Sequence, residues 1–217
     1  DKVARVAALA ESIAAEVGVD PKLARRAAEL AKADLQSRMV NEFPELQGIA
    51  GRYYATAAGE SAEVAAAIDE AYMPRFAGDA IAPSKLGQVL AIAERLDTLA
   101  GGFAAGLKPT GNKDPFSLRR NALGLARTVI EGSNNIDTHD EILSALKSSD
   151  IAIQKISNQR IEAAADSAAE LGIKTISLLP GTAHGNGDLR GVELYDFVLD
   201  RLRAYYADQG VTPQQFE

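Results

Sequence analysis

Apolar residues recur along this chain of 217 residues at spacings of three and four. The first such stripe consists of Val3, Val6, Ala7, Ala10, Ile13, Ala14 and Val17. This spacing places the side chains on one face of an α-helix. Only residues 174–179 read as a strand, and a lone strand has no partner for its backbone. The sequence therefore predicts an all-α fold.

Turn and capping residues predict where the helices begin and end. Gly18 ends the first helix, and Asp20-Pro21 begins a second that continues to Pro44. Further helices are predicted over 44–58, over 61–72 and, after a Ser84 cap, over 85–100. The last predicted helix covers 192–206 and is stopped by Gly210.

A further helix is predicted to begin at Pro115, with Asp114 as its N-cap. Its apolar residues lie nearly all round the helix, which predicts a position in the core. Arg119 and Arg120 would then lie at its exposed first turn.

Composition excludes several classes of function. The chain has no cysteine, which rules out disulfides and thiolate chemistry, and its two histidines are too few for a multi-histidine metal centre. It has no apolar run of the roughly 18 residues that a membrane span needs, and we expect a cytoplasmic protein. Both termini interrupt a pattern, which suggests a fragment of something longer.

The net charge of −7 argues against bulk attraction to nucleic acid, but the charge is uneven. Residues 101–132 hold five basic residues against two acidic ones, between acidic flanks. The basic residues are Lys108, Lys113, Arg119, Arg120 and Arg127. A phosphate site, an edge for nucleic acid, a helix cap and a merely solvated loop all remain possible for "GLKPTGNKDPFSLRR" at 106–120.

Neither histidine predicts catalysis. His139-Asp140 resembles the metal-binding pair of HD phosphohydrolases, but no histidine precedes it, and Thr138 with Glu141 forms a ready capping box. His184 lies in the glycine-rich stretch 180–188, which lacks a phosphate-loop signature and reads as a linker. No nucleophile stands beside a base, and we assign no catalytic residue and no metal.

Lys32, Asp34 and Asp97 form a degenerate version of the HD pattern. Asp34 and Asp97 stand where the two carboxylates of an HD site would stand, with lysine and alanine in place of histidine. Two carboxylates without imidazoles hold a divalent metal poorly, and an ammonium would compete for them. If Lys32 reaches that position, an ion pair replaces the metal.

Four segments carry a resemblance to a known family: 30–55, 72–84, 91–131 and 196–210. They resemble the internal HD-like domain of the bacterial glycyl-tRNA synthetase β subunit. The resemblance covers 1–132, as an HD-like helical domain, and 191–217, as a C-terminal helix leading into the next domain. Residues 133–190 depart from the family pattern and read as an insertion or linker.

The resemblance implies a subunit of a class II aminoacyl-tRNA synthetase, a heterotetramer of two unlike subunits. Glycine activation, with ATP and Mg, would belong to the α subunit, and this piece would need no cofactor. Its partners would be the α subunit, tRNA(Gly) and the rest of the β subunit, with no membrane.

The expected role is to bind tRNA without catalysing the reaction. We predict that Lys108, Lys113, Arg119 and Arg120 contact tRNA phosphates. No aromatic platform accompanies these basic residues in the sequence, which favours contact with the tRNA backbone over base stacking. Two alternatives remain: a working HD phosphohydrolase, and a purely architectural module.

Overall fold

A computed structural model describes residues 1–76, 78–132, 134, 145, 148 and 187–208. The described α-helices are α1 (Lys2–Val17), α2 (Pro21–Leu30), α3 (Arg38–Glu42), α4 (Ile49–Ala57), α5 (Ala62–Glu70), α6 (Lys85–Ala104), α7 (Leu118–Glu131) and α8 (Gly187–Asp208). Two short 3-10 helices, Ala33–Gln36 and Pro44–Leu46, flank α3. These ranges contain an isolated bridge between Thr110 and Lys113 but no strand, which confirms the all-α prediction for them.

The fold is built around α6, which contacts α1, α2, α5, α7 and α8. Its apolar side chains are buried in one hydrophobic cluster and include Leu86, Val89, Leu90, Ile92, Leu96 and Leu99. Ser84 caps this helix as predicted, since its hydroxyl accepts a hydrogen bond of 2.9 Å from the amide of Gly87. A helix buried on so many sides positions every other element.

The predicted end of the first helix at Gly18 is also correct, whereas its cap at Asp1 was not predicted. The carboxylate of Asp1 accepts a hydrogen bond from the amide of Val3, and Gly18 closes α1 with a φ of 74°. Asp20 caps α2, whose first residue is Pro21. None of the described helices is both long and apolar enough to cross a membrane.

The prediction of one continuous helix to Pro44 is wrong. α2 ends at Leu30, so Lys32 does not lie within a helix, and the chain turns through 33–36 before Ser37 caps α3. The turn brings Asp34 inward, where its carboxylate accepts hydrogen bonds from the backbone amides of Gly48 and Gly51. These bonds to a segment fourteen residues away stabilise the break.

The next helix begins at Ile49 rather than at Pro44. Gly48, which precedes it, has a φ of 82°, a left-handed conformation that favours glycine. A Cβ atom at this position would also lie 2.6 Å from the ring of Tyr72. Close packing against Tyr72 therefore fixes where α4 starts.

The helix predicted from Pro115 begins three residues later, at Leu118. Asp114 still caps it, because its carboxylate accepts hydrogen bonds of 2.8 and 2.9 Å from the amides of Leu118 and Arg119. The predicted position of α7 in the core is correct for one face only, on which Leu118, Ala122 and Leu125 are buried. Ile130 is 49% exposed, and Phe116, which lies before the helix, is 52% exposed.

α8 packs on α6 and α7 and adds Leu194 and Val198 to the core. The ring of Phe197 lies 5.3 Å from that of Phe103, measured between centroids. The helix begins five residues before the predicted Val192, and Gly210 lies outside the described residues.

Most of the segment 133–190 also lies outside the described residues, with the predicted strand, the Thr138 cap, His139 and His184. Of its described positions, Ala145 is buried in the hydrophobic cluster and Asn134 is buried beside Gln88. The assignment of this segment as an insertion stays a prediction.

We predict that Gly124→Ala destabilises the fold. The added Cβ would lie 2.5 Å from Nε of Arg95, which is itself held by several hydrogen bonds. Overpacking of this kind costs about 1–3 kcal/mol, more than the gain in helix propensity. Chemical denaturation should show this loss. In an Arg95→Leu background the methyl group should cost much less, and an equal cost in both backgrounds would contradict the proposed clash.

Candidate functional site: a charged cleft and a basic loop

A cleft of about 470 Å³ lies between the 71–75 segment, α6 and the start of α7. Charged side chains of both signs line it: Lys32, Arg75, Arg95, Arg120, Glu45 and Glu94. Cations outnumber anions in this lining, although the whole chain is acidic.

Arg95 forms the buried base of the cleft. Its guanidinium donates hydrogen bonds of 3.0–3.4 Å to the carbonyl oxygens of Ala71, Tyr72, Met73, Pro74 and Ala91. Burial lowers the pKa of this group to about 10, so the arginine stays charged at neutral pH. Arg95 therefore holds the 71–74 segment against α6 with a desolvated charge.

Lys32 lies in the wall of the cleft. Its ammonium is 3.9 Å from a carboxylate oxygen of Glu94 and 3.9 Å from the ring centroid of Tyr72. Burial lowers the pKa of Lys32, and the nearby Glu94 carboxylate partly offsets this effect. The hydroxyl of Tyr72 is buried and has no hydrogen-bond partner, and burial raises its pKa.

Asp34 is 2% exposed, and its carboxylate caps the start of α4. One carboxylate oxygen accepts hydrogen bonds of 2.7 and 3.1 Å from the amides of Gly48 and Gly51. These amides are at the positive end of the helix dipole, where a carboxylate is stabilising. The other oxygen is buried without a hydrogen-bond partner.

Asp97 is equally buried but has different partners. Its carboxylate accepts hydrogen bonds of 2.6 and 3.1 Å from the guanidinium of Arg5, and Lys2 lies 3.6 Å away. Asp97 therefore connects α6 to α1.

The degenerate HD positions thus have separate structural contacts. Lys32 pairs with Glu94 and is not within ion-pair distance of Asp34 or Asp97. Lys2 links the two sets of ions, because it also lies 3.0 Å from Glu94. Across the part of the chain that the structure describes, no group of three or more histidines and carboxylates is placed to hold a metal ion.

Two of the four basic-loop residues have partners within the fold. The ammonium of Lys108 pairs with the carboxylate of Glu193 on α8 and lies 5.4 Å from the ring centroid of Phe103. The guanidinium of Arg119 donates a hydrogen bond of 2.7 Å to the carbonyl oxygen of Gly111. Both side chains therefore contribute to the local structure.

Lys113 and Arg120 differ from these two. Both are exposed, and neither side chain has an ion pair or hydrogen bond among the described residues. Lys113 is positioned by its backbone, which exchanges hydrogen bonds of 2.8 and 3.1 Å with Thr110. Arg120 lines the cleft. Two solvent-facing cations therefore remain from the basic block.

Sequence reasoning missed Arg75, Glu94 and Arg95 as parts of a site. The available signal was a charged "ERLD" segment inside the otherwise apolar stretch 89–100. A buried helix that keeps three ionisable groups together must provide partners for them.

A family model described as "Glycyl-tRNA synthetase beta subunit" matches residues 1–217. A protein of Xanthomonas campestris pv. campestris is 62% identical over 216 residues, covering 100% of this chain and 27% of its own length. A Xylella fastidiosa protein is 56% identical, covering 100% and 30%, and a Dinoroseobacter shibae protein is 42% identical, covering 97% and 28%.

Each of these relatives is named "Glycine--tRNA ligase beta subunit", which is a subunit of an aminoacyl-tRNA synthetase. The chain belongs to the family of glycyl-tRNA synthetase β subunits. It spans about 27–30% of the length of these three relatives.

We predict that Asp34 stabilises the fold without a metal. Asp34→Ala should lower the free energy of unfolding by about 2 kcal/mol or more, because it leaves the amides of Gly48 and Gly51 without their buried acceptor. Treatment of the unmodified protein with EDTA should leave its melting temperature unchanged. Asp97→Asn, which weakens the contact with Arg5, is the matched control for the loss of a buried carboxylate.

Measurements of bound metal and of hydrolytic activity test the alternative that Asp34 belongs to a working metal site. Stoichiometric manganese or iron, together with phosphodiester or nucleotide turnover that Asp34→Ala abolishes, would support the HD phosphohydrolase alternative. A fall in melting temperature on chelation, absent from Asp34→Ala, would also contradict the capping role.

Proposed function

We propose that this chain is a non-catalytic, tRNA-binding part of a glycine–tRNA ligase β subunit. The main support is the pair of exposed cations, Lys113 and Arg120, before and within the first turn of α7 on a chain of net charge −7. Cations without internal partners are available to phosphate oxygens. Such contacts fix the position of a nucleic acid without reading its sequence.

The four residues predicted to contact phosphates fall into two pairs, one with partners inside the fold and one without. Lys108 and Arg119 would have to give up their contacts with Glu193 and Gly111 in order to bind an anion. Lys113 and Arg120 need no such rearrangement. We therefore assign the main contacts to Lys113 and Arg120, and a supporting role to Lys108 and Arg119.

The dipole of α7 adds little to the attraction of these cations for an anion. Asp114 already accepts hydrogen bonds from the first amides of α7, and its negative charge offsets the positive end of the helix. Phe116 changes the expectation that backbone contact is favoured over base stacking. It is an exposed aromatic ring within three residues of Lys113, so base stacking becomes available beside the phosphate contacts.

The partners follow from the names of the relatives. A β subunit implies an α subunit, and we assign glycine activation, with ATP and Mg, to that partner. The substrate of the assembled enzyme would be tRNA(Gly), and its compartment the cytoplasm. The segment described here would need no cofactor of its own.

An architectural role has its own support. Large apolar side chains are exposed on the described surface and include Leu35, Met39, Phe43, Tyr53, Tyr54 and Phe76. In each relative, the part outside the matched segment is more than twice as long as this chain. Packing of such a part against these side chains would cover them. Packing against the rest of the β subunit is therefore compatible with tRNA binding by a different face.

We predict that Lys113→Ala combined with Arg120→Ala impairs tRNA charging in the intact two-subunit enzyme. Each lost phosphate contact should lower the slope of log affinity against log salt by roughly one unit, and similarly for all tRNA sequences. Filter binding over a salt series, with aminoacylation rates, measures both effects. Glycine activation, followed by pyrophosphate exchange, should be unchanged.

The matched control is Lys108→Ala combined with Arg119→Ala, which also removes one lysine and one arginine charge. Because these residues already have partners, we expect a smaller effect on the salt slope and a larger effect on stability. If both double variants charge tRNA normally with an unaltered salt slope, the loop is scaffolding and the architectural role is favoured.

A further inference from the structure

The cleft contains more positive charge than its own residues neutralise. Arg75 pairs with Asp69 at 2.6 Å, outside the lining. Arg95 is bound only to carbonyl oxygens among the described residues, and Arg120 has no side-chain partner there. Two carboxylates, Glu45 and Glu94, line the cleft, and Lys2 and Lys32 share Glu94 at 3.0 and 3.9 Å.

Desolvation increases the effect of this imbalance. A buried arginine that lacks a carboxylate partner keeps a field that water screens poorly. Burial lowers the pKa of Lys32 most, the charges of Lys2 and Arg95 lower it further, and the carboxylates of Glu94 and Asp34 oppose these effects. An anion bound in the cleft would favour the charged forms of both Arg95 and Lys32.

The neutral lining is also suited to a small oxyanion. Gln47, Thr98, Ser117 and Asn121 contribute amide and hydroxyl groups around the cations. A volume of about 470 Å³ accommodates a small phosphorylated molecule or one terminal nucleotide, and it is too small for a nucleic-acid duplex. Lys32 covers one face of Tyr72, so that face is not available for stacking a base.

We propose that this cleft binds a terminal phosphate group, a phosphate monoester held by Arg120 at the rim and by Lys32 and the field of Arg95 inside. A monoester supplies the negative charge that the cleft lacks, and a guanidinium binds two of its oxygens at once. A free nucleotide and a phosphorylated RNA end share this chemistry. The inference shares Arg120 with the proposed tRNA contacts but not Lys113, which does not line the cleft.

Inorganic phosphate is the first probe, titrated by calorimetry into the complete β subunit. The unmodified protein and Lys113→Gln should bind it with the same affinity, whereas Arg120→Gln should bind it about tenfold more weakly. Arg120 is exposed, so this variant should fold normally. Lys32→Gln tests the inner wall independently and should weaken binding to a similar extent.

Three results would overturn the proposal. The first is the absence of saturable phosphate binding by the unmodified protein. The second is equal weakening by Arg120→Gln and Lys113→Gln, which would indicate only general surface charge. The third is binding that neither Arg120→Gln nor Lys32→Gln changes, which would place the phosphate elsewhere.

Competition against phosphate distinguishes the two sources. Displacement by adenosine monophosphate, with tRNA competing weakly, would identify a free nucleotide. Displacement by tRNA carrying a terminal phosphate, at least about tenfold better than by dephosphorylated tRNA, would identify an RNA end. Equal displacement by both forms of tRNA would mean that an internal backbone phosphate occupies the cleft, and would contradict the proposal. Because Lys113→Gln leaves the cleft intact, its effect on tRNA binding tests the proposed function separately.

Discussion

The buried guanidinium of Arg95 is the interaction on which the rest of the structure depends. It extends from the central helix α6 and binds successive carbonyl oxygens of residues 71–74, the end of α5 and the turn after it. That turn carries Tyr72 and Arg75 into the wall of the cleft. Gly124 is required on the opposite side, because any Cβ on α7 at this point would meet Arg95. One charged side chain therefore fixes the chain path, the packing of α7 and the shape of the cleft together.

The two buried aspartates show how carboxylates can stabilise a fold through backbone amides and cations. Asp34 satisfies backbone amides at the start of α4, and Asp97 binds Arg5 and so joins α6 to α1. Each is buried, and each would be costly without its partners. The partners are backbone amides for Asp34 and cations for Asp97. Such contacts stabilise the same charge that a metal site would use, and they compete with metal binding.

Local signals in the sequence predicted much of the fold. The apolar stripes of α1 and α6, with Gly18 and Ser84, were sufficient, because each of these two residues acts within one turn of the helix that it caps. The break between residues 30 and 49 could not be predicted in this way, since Asp34 acts on amides fourteen residues later. The same limit applied to the basic loop. Nothing near Lys108 indicates that its partner, Glu193, lies eighty-five residues further along the chain. Charge counting identified the basic block, but only the tertiary contacts separate Lys113 and Arg120 from Lys108 and Arg119.

The distribution of charge also limits what this chain contributes to binding. An acidic body repels nucleic acid over distances of about one Debye length, roughly 10 Å at moderate salt. Two exposed cations overcome that repulsion only where phosphates lie directly against them, so they favour one position of a polyanion rather than general attraction. Position is useful only if other surfaces supply most of the affinity. Under the proposed function, the rest of a full-length β subunit would supply those surfaces, since this chain spans about 27–30% of the length of its relatives. Weak, local contacts on an acidic domain therefore suit a part that orients a ligand bound mainly elsewhere.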